Sequence, residues 1–237
     1  MGLFDFLSKK NAQTPVQRLA VKAADKRGMA PDRWDALQAL AKIDSEEAID
    51  VLLMRFTFYV DPTITDQEEK DGVFNAIVSK GKLAVAPVKR FIRKAESLSW
   101  PLKLLDQVLS PDEVLEVLLD LLSTMDTEYE RDPQRKLQVL SELEARSGPK
   151  VAEAVRPFLR DVHEPARFHA VGAVLAQDQL ETSREALLDV LAKEESVRIK
   201  ARILEGFSRA GLSVDPARAG RLPDSFALDA QGVPRRR

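Results

Sequence analysis

Val88-Lys89-Arg90-Phe91-Ile92-Arg93 returns later in the chain as Val155-Arg156-Pro157-Phe158-Leu159-Arg160. A second pattern, arginine followed at +3 by alanine and at +6 by alanine or leucine, starts at Arg33, Arg167 and Arg198. Text that recurs at multiples of about thirty residues in a helix-rich sequence marks stacked helical hairpins, each unable to bury its apolar face alone. The rest of the chain can be read outward from these two patterns.

Punctuation divides the sequence into helices of ordinary length. The pairs predicted are 31–42 with 45–59, 65–80 with 83–95, 99–109 with 111–124, 132–147 with 149–161, and 164–177 with 181–194. A helix near 14–27 precedes them, and a last helix over 195–211 is followed by a weaker partner. Ser45 ahead of Glu46-Glu47 offers an oxygen to the free N–H groups of a first turn. Thr65-Asp66-Gln67-Glu68 and Ser110-Pro111-Asp112-Glu113 both fit a capping box. Pro111, Pro133 and Pro165 suit a first turn, where the missing N–H costs nothing. Ala36, Ala39, Ala170 and Ala173 put small residues on one face of the first helices. The second helices carry larger ones, such as Leu52, Phe56, Val88 and Ile92, which gives a packing complement.

Pro165-Ala166-Arg167-x-x-Ala170-x-x-Ala173-Val174 and Val197-Arg198-x-x-Ala201-x-x-Leu204 resemble the first-helix signature of HEAT repeats. The chain from about residue 14 to 211 is similar to a small HEAT-type, armadillo-like solenoid, including bacterial HEAT-repeat proteins that carry no assigned activity. The resemblance implies an all-α, right-handed α-α superhelix of about five to six antiparallel hairpins. It departs from the signature at Arg135, followed at +3 by Gln138, and in the segments starting at 65 and 99. The implied organisation is an apolar and basic segment over 1–13, a repeat domain over 14–213, and a Pro/Arg-rich, partly disordered tail over 214–237.

Composition narrows the function classes. With 237 residues and 44% hydrophobic content, the chain can bury a core without disulfides or metal. It has no cysteine, which removes disulfides, thiolate metal sites and cysteine nucleophiles, and makes the cytoplasm the expected compartment. The formal net charge of −2 speaks against a general nucleic-acid binder. Residues 1–40 hold seven Lys/Arg against four Asp, and residues 216–237 five Arg against two Asp, so the body between them is acidic. No apolar run reaches membrane-spanning length, and the opening residues carry no secretory or lipidation pattern.

Lys89, Arg93, Arg156 and Arg160 are the candidate binding residues. Each pair is spaced i, i+4, which places its two charges on one side of a helix. In a HEAT stack the second helices line the concave face, so these four are expected to grip an acidic protein segment; an arginine fork donates two parallel hydrogen bonds to a carboxylate. The bland alternative is a solvated flank whose stems cover the apolar seam. The carboxylates from Asp61 to Asp71 lack the glycine and distant glutamate of a calcium loop, and read as an acidic first helical turn. His163 and His169, six apart, do not share a face as zinc ligands would. Trp34 and Trp100 read as core residues. No catalytic, cofactor or metal set is expected.

The function implied is a non-enzymatic adaptor. Two alternatives remain at this stage: a HEAT-fold nucleic-acid-repair or cofactor-attachment enzyme, and recruitment to a membrane surface through Leu3-Phe4-x-Phe6-Leu7 with Lys9-Lys10. Capping of the first repeat by that segment is the favoured reading of residues 3–10.

Overall fold

The computed structural model describes residues 14–178 and 180–237. The apolar and basic segment over 1–13, and with it the choice between end-capping and membrane contact, lies outside the described residues. Helix dominates what is described, and no helix there is long and apolar enough to cross a membrane. Contacts divide the chain into two compact units, one ending at Val114 and the other starting at Leu115, where the repeat reading has a single domain over 14–213.

The first unit opens with α1 (Pro15–Ala23), headed by a complete capping box: Thr14 Oγ accepts from the Gln17 N–H while Gln17 Oε1 accepts from the Thr14 N–H. It continues through α2 (Ala30–Ala41), α3 (Glu46–Leu53) with a 3-10 turn over Met54–Thr57, α4 (Thr63–Ser79), α5 (Lys82–Ile92) and α6 (Ser99–Val108). Ser45 caps α3 as expected, accepting from the Ala48 N–H at 3.1 Å. The box at Ser110 and Glu113 also forms, at the head of α7 (Pro111–Ser123). The box expected at Thr65 does not. α4 starts two residues earlier with Pro62 at its N-cap, and Asp66 and Glu69 turn into the core instead.

Alternate helices form one row, with α2 against α4 and α4 against α6; α3 packs on α5 in the other. Leu37, Leu40, Ile49, Leu52, Leu53, Ile77, Val88 and Ile92 are buried where the rows meet. Each such side chain contributes about 1.5–3 kcal/mol over its exposed state. Gly72 lets α4 approach α2 closely, since a Cβ there would lie 2.5 Å from the Trp34 ring. Trp100 stacks on Phe56 with centroids 5.0 Å apart, and the tilted Phe74 ring completes the cluster.

The second unit repeats the arrangement with α8 (Gln134–Glu144), α9 (Val151–Val155) running into a 3-10 turn over Arg156–Arg160, α10 (Glu164–Leu175), α11 (Leu180–Lys193) and α12 (Val197–Ala210). α10 packs on both α8 and α12, while α11 touches the 3-10 turn. The helix expected over 149–161 is therefore five α-helical residues and a tighter turn. Pro157 has no N–H for the Glu153 carbonyl, which accepts from Arg156 instead.

The expected weaker partner of the last helix and the partly disordered tail are also corrected. α12 ends at Gly211, in the left-handed region at φ 68°, and the chain then returns as a β-hairpin. Strands β1 (Phe226–Leu228) and β2 (Pro234–Arg236) pair antiparallel, and β2 packs against α12. Asp229 secures the turn by accepting from the Gln231 and Val233 N–H groups. Val214, Ala219, Phe226 and Val233 are buried, so this segment has enough apolar surface to fold despite its proline and arginine content.

Candidate functional site: connector latches and a charged groove

A cation heads the buried stripe of several first-row helices, followed by buried residues at +3, +4 and +7. The sets are Arg33 with Ala36, Leu37 and Leu40; Lys136 with Val139, Leu140 and Leu143; and Arg167 with Ala170, Val171 and Val174. Lys200 heads the same stripe in α12, with Ile203, Leu204 and Phe207. This is a 3.6-residue apolar face with a charge at its head. It corrects the register in two helices: Lys136 rather than Arg135 holds the position in α8, and Lys200 rather than Arg198 in α12.

Arg33, Arg167 and Lys136 each brace the connector before their own helix, whereas Lys200 reaches forward to the segment after α12. Arg33 Nη1 donates to the carbonyls of Asp25 and Gly28, both at 3.2 Å, in the connector before α2. Its Nε and Nη2 fork onto Glu69 of α4, with the closest contact at 2.8 Å. Arg167 Nη1 donates to the carbonyls of Asp161 and Val162 at 2.9 and 3.3 Å, and its Nε and Nη2 fork onto Glu194 at 2.8 and 3.0 Å. Lys136 Nζ reaches the Asp126 carbonyl at 3.1 Å, Asp161 at 2.8 Å and Glu130 at 3.0 Å. Lys200 Nζ donates to the Arg221 carbonyl at 3.0 Å. A connector carbonyl turned inward needs a donor, and a long cationic side chain supplies one while its stem stays in the apolar seam.

In the first unit the latch extends into a buried network. Arg55 donates to Glu69 at 2.6 Å, to Asp66 at 2.8 Å and to the Phe58 carbonyl at 3.0 Å, with its guanidinium 4.6 Å from the Phe58 ring centroid. Asp66 also accepts from the Val60 N–H and from Lys70. Burial pushes the Asp66 carboxyl up, but Lys70, Arg55 and the Val60 N–H outweigh it and hold the group below the ordinary carboxylate range. Asp66 and Glu69 therefore serve inside the fold, which corrects the expectation of a capped, acidic first turn: only Asp66 lies in the first turn of α4, and it points inward.

In the second unit, Arg198 and Ser196 hold Glu164, whose carboxyl falls to about 2, chiefly through the Arg198 hydrogen bond. Glu194 is also lowered, since Arg167 and the N–H groups of Ser196 and Glu195 outweigh its burial. Burial alone would lower Lys136, but Asp161 and Glu130 raise it. The Arg198 and Arg202 guanidiniums both approach the Phe168 ring, 4.5 and 4.1 Å from its centroid. His169 meets Glu144 at 3.0 Å, and Arg202 donates to the same carboxylate. His163 Nε2 accepts from the Glu130 N–H. Among the described residues, no group of three or more His, Cys, Asp or Glu side chains is placed to hold a metal ion.

The four predicted site residues fall into two pairs in different units. Lys89 is half-buried on α5, and it adds to the lowering of the Glu113 carboxyl, which the Ser110 backbone N–H chiefly causes. Arg93 is the exposed C-cap of α5. Arg156 and Arg160 are exposed on the 3-10 turn, where about three residues complete a turn and i, i+4 no longer share a side. The doubled sextet thus has two backbone conformations, and the shared-face reading holds for the first copy only.

Arg160 does line a groove of about 410 Å³ within the second unit. Leu159 and Val190 are its apolar lining, and its charged lining is Arg160, Arg167 and Lys193 with Asp161, Asp189, Glu194 and Glu195. Arg160 Nη2 lies 3.8 Å from Asp189, which Arg218 also engages. Lys193 was missed by the sequence reading because neither repeat pattern includes it.

Against known protein families, curated proteins and solved structures, the chain finds no match. Function must therefore be argued from the geometry. Lys136, Lys200 and Arg55 were also missed, yet the first two were legible: cation-x-x, two apolar residues, x-x, then a further apolar residue is readable at Lys136 and Lys200.

Proposed function

We propose that this protein is a non-enzymatic, cytoplasmic adaptor built as a HEAT-like solenoid, and that its second unit holds a protein segment in the groove beside Arg160. The alternation of helix rows within each unit supports the solenoid reading. The observation that carries the binding reading is the division of labour among cations. Arg33, Arg55, Lys136 and Arg167 are committed inside the fold, whereas the Arg160 side chain is 74% exposed in a groove with an apolar lining. An extended segment with an acidic side chain fits that lining, with the carboxylate meeting Arg160 or Lys193 and an apolar neighbour meeting Leu159 and Val190. Lys89 and Arg93 offer a second basic pair on the first unit.

Affinity capture from native lysate, with the intact chain and an Arg160→Glu/Lys193→Glu variant compared by mass spectrometry, tests this. The variant is expected to lose the captured partner while its thermal unfolding stays unchanged. Equal capture by both chains would remove the groove from the reading.

A further inference from the structure

Seven large apolar side chains stand out as exposed among the described residues, and six of them sit at the heads of first-row helices. Met29 precedes α2, Tyr59 and Ile64 flank the start of α4, Tyr129 precedes α8, Val162 precedes α10, and Val197 opens α12. Isolated exposed apolar residues need no explanation. Three that recur at the same position within each unit do.

In the second unit the three connectors involved form a continuous edge. The Val162 N–H donates to the Thr127 carbonyl at 3.2 Å, and the Tyr129 ring stacks on His163 with centroids 5.5 Å apart. The next step is closed by Ser196 Oγ on Glu164 at 2.6 Å, with Arg198 on the same carboxylate. Arg167 spans both connectors, from the Asp161 and Val162 carbonyls to Glu194. The latches therefore hold the backbone beneath Tyr129, Val162 and Val197, whose exposures are 76%, 53% and 65%. A surface ordered before binding loses little entropy when a partner arrives.

The charges beside this apolar edge are chiefly negative. Asp126, Glu128, Glu130 and Asp132 are exposed around Tyr129, and Glu195 is exposed two residues before Val197. Among nearby cations, Arg131 is exposed, Arg160 and Lys193 are exposed on the groove side, Arg198 is engaged by Glu164, and Lys136 is buried on Asp161 and Glu130. The body of the chain between its basic ends is acidic, and this edge carries part of that charge.

The geometry points to the edge formed by Tyr129, Val162 and Val197 as a second docking surface, whose occupant is a partner segment carrying lysine or arginine beside large apolar residues. Apolar side chains of that segment cover the three exposed residues, and its cations meet Asp126, Glu128, Asp132 and Glu195. The surface borders the groove at Glu195 but does not require Arg160 or Lys193, so it stands or falls separately from the groove.

The test uses the full chain and a short fluorescein-labelled peptide of leucines and lysines in amphipathic register, read by fluorescence anisotropy. A peptide with glutamate in place of lysine serves as comparison. The lysine peptide is expected to bind, more weakly as salt is raised, and the glutamate peptide is not. Tyr129→Ser/Val197→Ser is expected to weaken binding by about tenfold or more. Glu128→Lys/Asp132→Lys should weaken it and flatten its salt dependence, with circular dichroism unchanged in both variants. Arg160→Glu/Lys193→Glu should leave this peptide bound. The inference is overturned by absence of binding, or by equal affinity for a folded Tyr129→Ser/Val197→Ser chain. Sedimentation showing that wild-type copies associate through these residues would also overturn it, since the occupant would then be a second copy.

Discussion

Arg33 and Arg167 make the same grip in different surroundings. Each gives one nitrogen to two carbonyls of the preceding connector and forks the others onto a glutamate. The Arg33 glutamate is Glu69, shared with a second buried arginine and sealed from water. The Arg167 glutamate is Glu194, at the end of α11, where it also accepts the N–H groups of Glu195 and Ser196. One latch stands inside a network of buried charge. The other stands at a connector, partly wetted on its arginine side. The lesson is that a repeat signature specifies the grip, while its energetic weight depends on what surrounds the glutamate.

The sharpest way to break the comparison is Glu69→Ala. Removing the shared carboxylate leaves Arg33 and Arg55 buried without their common partner, and should cost about 3–5 kcal/mol, read as a lower urea midpoint for the intact chain. A cost near that of an exposed ion pair, under about 1 kcal/mol, would show that the buried network carries no special weight. Glu194→Ala should cost less, about 1–3 kcal/mol, because Arg167 keeps its connector carbonyls and some access to solvent. The order of the two variants is the test; a larger loss at Glu194 would invert it.

The smallest effect is expected at Glu164. Its pair with Arg198 is well formed, but the two side chains are 31% and 54% exposed, so Glu164→Gln at neutral pH should move the urea midpoint little. Acid sharpens the contrast. Glu164 at about 2, with Asp66 and Glu194 also lowered, stabilises the fold fully above the unfolded carboxylate range near pH 4.5, and that stability is lost as pH falls toward 2. Lys136 has the opposite sign: its raised value contributes below about pH 10.5 and fades as pH climbs through the folded value. Urea midpoints for wild type and Glu164→Gln should therefore differ less at pH 2 than at pH 6.

Much of the fold was legible because it rests on short-range rules. Apolar spacing, prolines at helix heads and the caps at Ser45 and Ser110 placed the helices to within a few residues. The β-hairpin was not legible: β1 and β2 are too short for an alternating pattern to stand out from a Pro- and Arg-rich tail. Pro157 is plain in the sequence, but where it leaves Arg156 and Arg160 depends on the tighter turn that the backbone adopts there. The same sextet on α5 remains helical, with its proline placed ahead of the copy at Pro87. Of the candidate site, Arg160 was read from its charge, whereas Lys193 and Val190 come from a different helix.

By itself, the sequence determined that the chain would be helical, where most helices begin and end, and which residues line their buried stripes. These depend on neighbours three and four apart, which the chain carries in its own order. What each cation meets, a connector carbonyl, a carboxylate or solvent, was decided by the tertiary structure. Arg33, Arg93 and Arg160 are chemically identical in the sequence. Only packing sets carbonyls and a carboxylate around the first, leaves the second exposed at a helix end, and places the third in the lining of a groove. The charge is local, but its partners are brought by distant parts of the chain, and the cost of burying it depends on them.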